Sequence, residues 1–502
     1  MMKNILFLAT LFITMVLSAC FDDKGNYDYR EINELSITGL PEELQVKYRN
    51  VDTLRATPVI EATADDGSMP DRYSFKWEAV SELKTGETQT TSYLLGEEEK
   101  LNYFVVLPDG EYDVNCLVKD TITRVTWKGT FKLKVTTQLN EGWLVLSDVN
   151  GNARLDLISM SAKEDIVVRD ILRDAPQLKG PKRINSVFDM FYGQTPRFYL
   201  ITETTTSILD VTNYLWDEGN DIRYEMLEYP VDFVATNRAA GMGWEILVSD
   251  KYVFGGTTWG LQVLFGVPIN YLAGDEGNYF NVAPEVGVNT GYSAYQPNLV
   301  LYDTSNKRFV KIASGSMRNC ELISSKEDLF SWTTGKDFVW MGNSSYDGGS
   351  TYTILQDTEA PYSRYLYVMK VSGGITQTKF MKLDGYPEIE NATCFAVHPN
   401  NPWVFYAAGN TVYYFDLEGH QAEPIHLDGE TITMLKFNLF RGMLGILPDM
   451  QRKLIVGSVK SGGELNGVVR TYDLPTVIGD DFVESTMHSG FGTPVDVTYR
   501  EK

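Results

Sequence analysis

The sequence predicts an all-β protein in two parts, a β-sandwich of immunoglobulin size followed by a β-propeller-like domain. Three observations carry that reading. Short runs with period-two alternation, separated by turn residues, recur from about residue 31 to the C-terminus. No helical periodicity extends beyond a turn or two. In the second part a hydrophobic stretch closing on Asp and a turn returns, as in Leu299–Asp303, Val412–Asp416 and Val469–Asp473.

The chain's 502 residues exceed what one core fills, so two or more domains are expected. Aromatic residues make up 12% of it, a content that disordered acidic chains lack, so the chain folds. Lys and Arg total 44 against 67 Asp and Glu, a formal charge of -23, and so acidic a surface repels phosphate backbones. Nucleic acid is excluded as a natural partner.

Lys3 followed by the apolar run Ile5 to Val16 reads as an export signal over residues 1–19, too short for a spanning helix. The run ends Leu17-Ser18-Ala19-Cys20, which resembles the lipobox of bacterial lipoproteins. That resemblance implies cleavage before Cys20 and acylation of Cys20, anchoring the protein to membrane by several chains. Residues 20–30 are polar and acidic, suited to a hydrated tether. The pair Asp22-Asp23 close behind the cysteine resembles the surface-export signal of lipoproteins from the Bacteroides group, which implies the outer face of the outer membrane; a plain solvated linker is the alternative. No other apolar stretch reaches spanning length.

Residues 31–137 carry the sandwich. Candidate strands are Glu34–Thr38, Thr53–Ala64, Tyr73–Val80, Leu101–Leu107, Tyr112–Lys119 and Thr130–Thr136. Period two places Phe75, Trp77 and Ala79 on one face, with Trp77 as core. In Pro108-Asp109-Gly110-Glu111-Tyr112 a turn leads into a strand whose Tyr112, Val114, Cys116 and Val118 point inward. This stretch resembles the PKD domain, an immunoglobulin-like sandwich. With the start at Cys20, residues 17–137 resemble the PKD-like lipoproteins found with SusC/SusD-type outer-membrane importers, and the resemblance implies such a transporter complex as partner.

Residues 138–502 carry the propeller-like domain. Asp416 and Asp473 lie 57 residues apart, near the period of propeller blades with loop insertions. About 360 residues at roughly 45 each give seven or eight blades, a string of further sandwiches being the alternative. The last strand, Pro494–Tyr499, is expected to pair with Trp143–Ser147 and close the ring.

The remaining cysteines, Cys116, Cys320 and Cys394, are few and widely spaced, which fits buried thiols better than a disulfide framework, although one bridge stays open. The four histidines, His398, His420, His426 and His488, form no metal-ligand spacing and read as turn and surface residues. No G-x-S-x-G elbow is present to pair with His398. Carboxylates are so abundant that a glycosidase pair cannot be singled out. Asp148-Val149-Asn150-Gly151-Asn152 lacks the later ligands of a calcium loop and reads as a tight hairpin. Gly348-Gly349 lacks the Lys-Ser/Thr of a phosphate-binding loop. No cofactor or metal is implied.

Gly255–Pro297 interrupts the blade rhythm and alternates Trp259, Phe265, Tyr271, Tyr279, Phe280, Tyr292 and Tyr295 with Gly, Asn and Pro. Rings beside amides on a loop stack on sugars or clasp peptides, so Trp259, Tyr271, Tyr279, Tyr292 and Tyr295 are the candidate ligand-binding residues; blade core is the other reading. The functional expectation is a non-catalytic cell-surface lipoprotein, accessory to a SusC/SusD-like importer, binding or presenting oligosaccharide or peptide. The alternatives are a propeller-fold enzyme degrading polysaccharide or peptide, and a structural or adhesion lipoprotein.

Overall fold

A computed structural model describes residues 32–47, 53–66, 68–69, 71–82, 89–136, 139, 141–160, 166–173, 175–188, 196–210, 214–231, 233–241, 244–257, 265–288, 298–312, 317–438, 448–475, 477 and 481–501. These fall into two compact units, one within residues 32–136 and one within 139–501. Both are built of antiparallel strands; one four-residue α-helix, Pro448–Gln451, and short 3-10 turns are the helical elements among the described residues.

In the first unit a five-stranded sheet runs Glu43–Lys47, Thr126–Thr136, Gly110–Asp120, Tyr73–Ser81, Ser92–Gly96, and two-stranded pairs join Leu35–Thr38 to Val59–Ala62 and Thr53–Ala56 to Leu101–Phe104. Thr57-Pro58 splits the expected strand 53–64 in two, because proline cannot donate to a ladder. Trp77 lies opposite Cys116 and both are fully buried. The Trp77 indole N–H donates to the Glu98 carbonyl at 2.9 Å, so the polar edge of the ring is satisfied inside the core. Tyr112 is buried and its hydroxyl donates to the Pro108 carbonyl at 2.7 Å, a tyrosine corner that fixes the turn into its strand. Asp120, also buried, accepts from Asn33, from Arg72 and from the amides of Ile122 and Thr123. Burial alone would raise its carboxyl, yet these donors hold it well below the usual carboxylate range.

The second unit contains seven open sheets among the described residues. The first is ordered Thr493–Arg500, Gly142–Val149, Asn152–Ser159, Ile166–Val168. The second is Pro181–Phe188, Pro196–Thr202, Thr206–Leu209; the third Ala235–Gly241, Trp244–Ser249, Val253–Thr257; the fourth Val300–Asp303, Arg308–Ile312, Cys320–Leu322. The last three have four strands each and begin with Asp337–Ser344, Cys394–Val397 and Glu430–Lys436. In the fourth sheet the bridges Val282–Asp303 and Gly287–Val300 add an irregular strand beside Val300–Asp303.

Successive sheets pack face to face, and the core lies between them. Leu247 and Phe254 of the third sheet meet Tyr199 and Ile201 of the second. Trp244 and Ile246 meet Leu299 and Leu301, Tyr302 and Phe309 meet Met341 and Leu355, and Tyr352 and Leu366 meet Phe395 and Tyr406. Phe405 and Tyr414 then meet Ile432 and Leu454, while Met434, Ile455 and Val469 of the seventh sheet meet Trp143, Val497 and Tyr499 of the first. The cycle is therefore completed by a sheet that joins the two ends of the unit. The expected pairing is observed: Trp143 faces Tyr499, Leu144 faces Thr498 and Val145 faces Val497.

Asp496 on this closing strand ties three sheets together. One carboxylate oxygen accepts the Ile184 amide of the second sheet at 3.0 Å, and the other accepts Lys436 Nζ of the seventh at 2.6 Å. Lys436 donates as well to the Val497 carbonyl, and the Thr433 hydroxyl to the Pro494 carbonyl. Between the second and third sheets Arg238, wholly buried, is held between Glu225 and Glu245 with its guanidinium 3.5 Å from the centre of the Tyr199 ring, and Arg197 pairs with the same two acids.

The Asp-turn repeat is a turn device. Asp303 accepts from the Asn306 amide and Arg308 Nε, and Asp416 from the amides of Glu418 and His420. Asp416 and Asp473 end the third strands of their sheets, whereas Asp303 ends the first of the three regular strands of its own, so only the first two share a phase. Asp148 likewise accepts from the Gly151 amide at 2.6 Å, with Asn150 at φ 53° and Gly151 at φ 79°, the left-handed pair that a two-residue hairpin requires.

Asp496→Leu would leave Lys436 and the Ile184 amide without this acceptor, and should lower the stability of the second unit by about 2–3 kcal/mol in urea denaturation. Asp473→Ala, which removes an exposed acid paired with Lys453, should cost under about 1 kcal/mol. Equal effects would show that the closing strand carries no special share of the stability.

Candidate functional site

Of the five aromatic candidates, Trp259, Tyr292 and Tyr295 lie outside the described residues, as does Cys20. The structure places Tyr271 and Tyr279 together, with ring centres 6.0 Å apart and nearly perpendicular. Phe265 and Phe280, from the same stretch, are buried in the core between sheets.

Asn270 builds the loop that carries the two tyrosines. Fully buried, it accepts the Val253 amide and donates from its side-chain amide to the carbonyls of Lys251 and Phe280. Both ends of residues 270–280 are thereby pinned to the third sheet. Inside the loop Gly274 and Gly277 take φ of 86° and 90°, which side-chain-bearing residues rarely adopt, and let it turn back within a few residues. The Asp275 carbonyl accepts the Asn278 amide across that turn.

The facing wall is the turn after Asp303. Asn281 donates its amide to the Ser305 hydroxyl and accepts the Thr304 amide on its carbonyl, so loop and turn are zipped together at their base. Above this base opens a cleft of about 260 Å³. Leu272, Asp275, Asn278, Tyr279 and Phe280 line one side, and Ser305, Asn306 and Arg308 the other. Tyr279 is 41% exposed and stands edge-on against both Tyr252, at 5.9 Å, and Tyr271. Its hydroxyl is pushed up from its ordinary pKa by partial burial first, then by Tyr271, Glu228 and Tyr252. From Tyr252 the contacts continue through Phe254 and Phe233 to the exposed Tyr229, a ladder of rings that holds Tyr279 in place.

Ser305, Asn306 and Arg308 were not singled out in the sequence. They lie about 30 residues beyond the aromatic loop in chain order, and the only signal was the Asp303 turn itself. The arrangement sets a partly exposed ring beside hydroxyl, amide, carboxylate and guanidinium groups.

Other titratable candidates have structural duties. His398 is buried, and its Nδ1 accepts the amides of Asn400 and Asn401 at 3.0 and 2.9 Å, so it caps an internal turn and not a surface one. Cys116, Cys320 and Cys394 are free thiols, and burial pushes Cys116 and Cys320 up to about 12. Among the described residues no group of three or more His, Cys, Asp and Glu comes together to hold a metal ion, and no helix is long and apolar enough to cross a membrane.

Residues 20–177 match the PKD-like family model, a span that takes in the sandwich and the first strands of the second unit. No curated protein sequence matches the chain. Among solved structures it is similar to a quinonprotein alcohol dehydrogenase-like protein from Bacteroides thetaiotaomicron, with 13% identity and a TM-score of 0.47 over 91% of this chain and 99% of that one. It is also similar to the WD40 domain of SCAP from fission yeast, with 10% identity and a TM-score of 0.34 over 62% and 75%. A DUF4784 family protein from Bacteroides caccae matches with 9% identity and a TM-score of 0.29 over 93% and 98%. These likenesses say nothing of this chain's chemistry.

Burial first, then the charge of Arg452, pushes His398 down to about 4 from an ordinary 6.5. Below pH 6.5 the unfolded chain takes up a proton that the folded one refuses, so the His398 contribution is complete above 6.5 and lost as pH falls toward 4. The loss reaches about 3 kcal/mol at most. His398→Gln should flatten that part of the stability-against-pH curve; an unchanged slope would contradict the capping role.

Proposed function

We propose that the protein is a non-catalytic lipoprotein held at the outer face of the outer membrane through Cys20, whose propeller-like unit captures oligosaccharide or peptide for a SusC/SusD-type importer. The observation that supports capture is the cleft at Tyr279, where a partly exposed ring, fixed from behind by Tyr252 and Tyr271, borders a polar hollow. Little ordering is needed before a ligand ring can stack there, and a preformed site loses less entropy on binding. Anchoring is supported by the lipobox-like Leu17-Ser18-Ala19-Cys20 and by the family match that starts at residue 20. The importer association comes from the resemblance to PKD-like lipoproteins alone.

The anchor is tested by Cys20→Ala. Wild type should fractionate with outer membranes and partition into detergent, while the variant should be lost from both. Retention of the variant would contradict lipid anchoring at this residue.

Capture is tested by ligand retention on immobilised protein. Tyr279→Ala is expected to weaken retention about fivefold to tenfold, the worth of one aromatic contact, with an unchanged melting temperature. Trp259→Ala and Tyr292→Ala should weaken it too if the rest of the aromatic stretch belongs to the same surface. Release of new chain ends from the offered polymer would favour the propeller-enzyme reading instead.

A further inference from the structure

Arg308 is the cation of the cleft, and Asp303 sets its direction. Asp303 is fully buried, and its carboxylate accepts the Asn306 amide at 2.9 Å, Asn306 Nδ2 at 2.8 Å and Arg308 Nε at 2.8 Å. Asp303 thus takes up the Nε of the guanidinium, and among the described residues no other side chain pairs with Arg308. Arg308 lines the cleft with its side chain 20% exposed. A guanidinium fixed in this way presents two parallel donors, which match a carboxylate.

The rest of the lining accepts and donates to hydroxyls. Ser305 Oγ accepts the Asn281 amide and keeps its own proton to give. Asp275 has one carboxylate oxygen on Asn278 Nδ2, at 2.5 Å, and the second is open to a hydroxyl donor. Tyr279 supplies the ring between these groups. A peptide added as an extra strand would need an open strand edge. The walls of this cleft are instead a loop, residues 271–280, and a turn, residues 304–307.

We propose that the cleft takes an acidic oligosaccharide, with one sugar ring against Tyr279, its carboxylate on the outer nitrogens of Arg308 and its hydroxyls on Ser305 and Asp275. The proposal rests on the capture function above and narrows it to uronate-bearing sugars. The net charge of -23 repels anions in general, so the affinity of the cleft for an acidic sugar must come from local contacts such as that of Arg308.

Isothermal titration of the full mature protein with a hexagalacturonate, a neutral maltohexaose and a glutamate-rich hexapeptide separates the outcomes. The hexagalacturonate is expected to bind at least about tenfold more tightly than either of the others. Arg308→Lys keeps a cation beside Asp303 but removes the fork, and should abolish at least about tenfold of that preference. If the variant fails to fold, the wild-type preference decides alone. Equal binding of neutral and acidic sugars would overturn the acidic specificity and leave capture standing. Preference for the hexapeptide would likewise overturn it. Binding of none of the three, with no effect of Tyr279→Ala on retention of any polymer, would overturn the capture function itself.

Discussion

The second unit depends on one strand pairing, that of Thr493–Arg500 with Gly142–Val149. The seven open sheets among the described residues each bury two faces against neighbours, and a linear array would leave its first and last faces wet. Placing the last strand of the chain in the first sheet removes that exposure, so every sheet has a neighbour on both sides. Asp496 adds directionality to what is otherwise apolar packing. A buried carboxylate that reaches the second sheet through the Ile184 amide and the seventh through Lys436 can be satisfied only when all three are in register.

The cleft inherits its rigidity from this arrangement. Its two walls come from the loop pinned by Asn270 and from the turn organised by Asp303, on the third and fourth sheets. Neither wall would hold its shape alone, because loop residues 271–280 turn on two glycines at positive φ. They are joined through Asn281, Ser305 and Thr304, and the tyrosines are braced by the ring ladder that runs to Tyr229. The same Asp that terminates a strand and closes its turn also holds Arg308 by its Nε, so a structural residue positions the half-buried cation of the cleft.

The alternation of Tyr112, Val114, Cys116 and Val118, the core position of Trp77, the hairpin at Asn150-Gly151 and the closing strand were legible in the sequence, because each follows from local pattern or from the need to satisfy a terminal edge. Strands Glu43–Lys47 and Ser92–Gly96 were not, since both are short and Leu94 faces outward. The phase of Asp303 was misleading for a physical reason: an Asp that accepts amides of the following turn suits the end of any strand, so its recurrence marks turns and not equivalent positions. Arg238 gave no signal either. A buried arginine depends on partners, here Glu225, Glu245 and the Tyr199 ring, that come together only in the fold. In the cleft, Tyr271 and Tyr279 were visible as aromatics on an irregular loop, while Ser305, Asn306 and Arg308 belong to an ordinary-looking strand and turn.

Native-state hydrogen exchange resolved along the chain tests the closure most directly. The amides that link Trp143–Val145 to Val497–Tyr499 should exchange only through global unfolding of the second unit, as slowly as those of the sixth-sheet strand Trp403–Ala408, although one partner lies at the very end of the chain. Exchange of the Val497–Tyr499 amides at the rate of a fraying terminus, while Trp403–Ala408 stays protected, would contradict a ring held shut by its last strand.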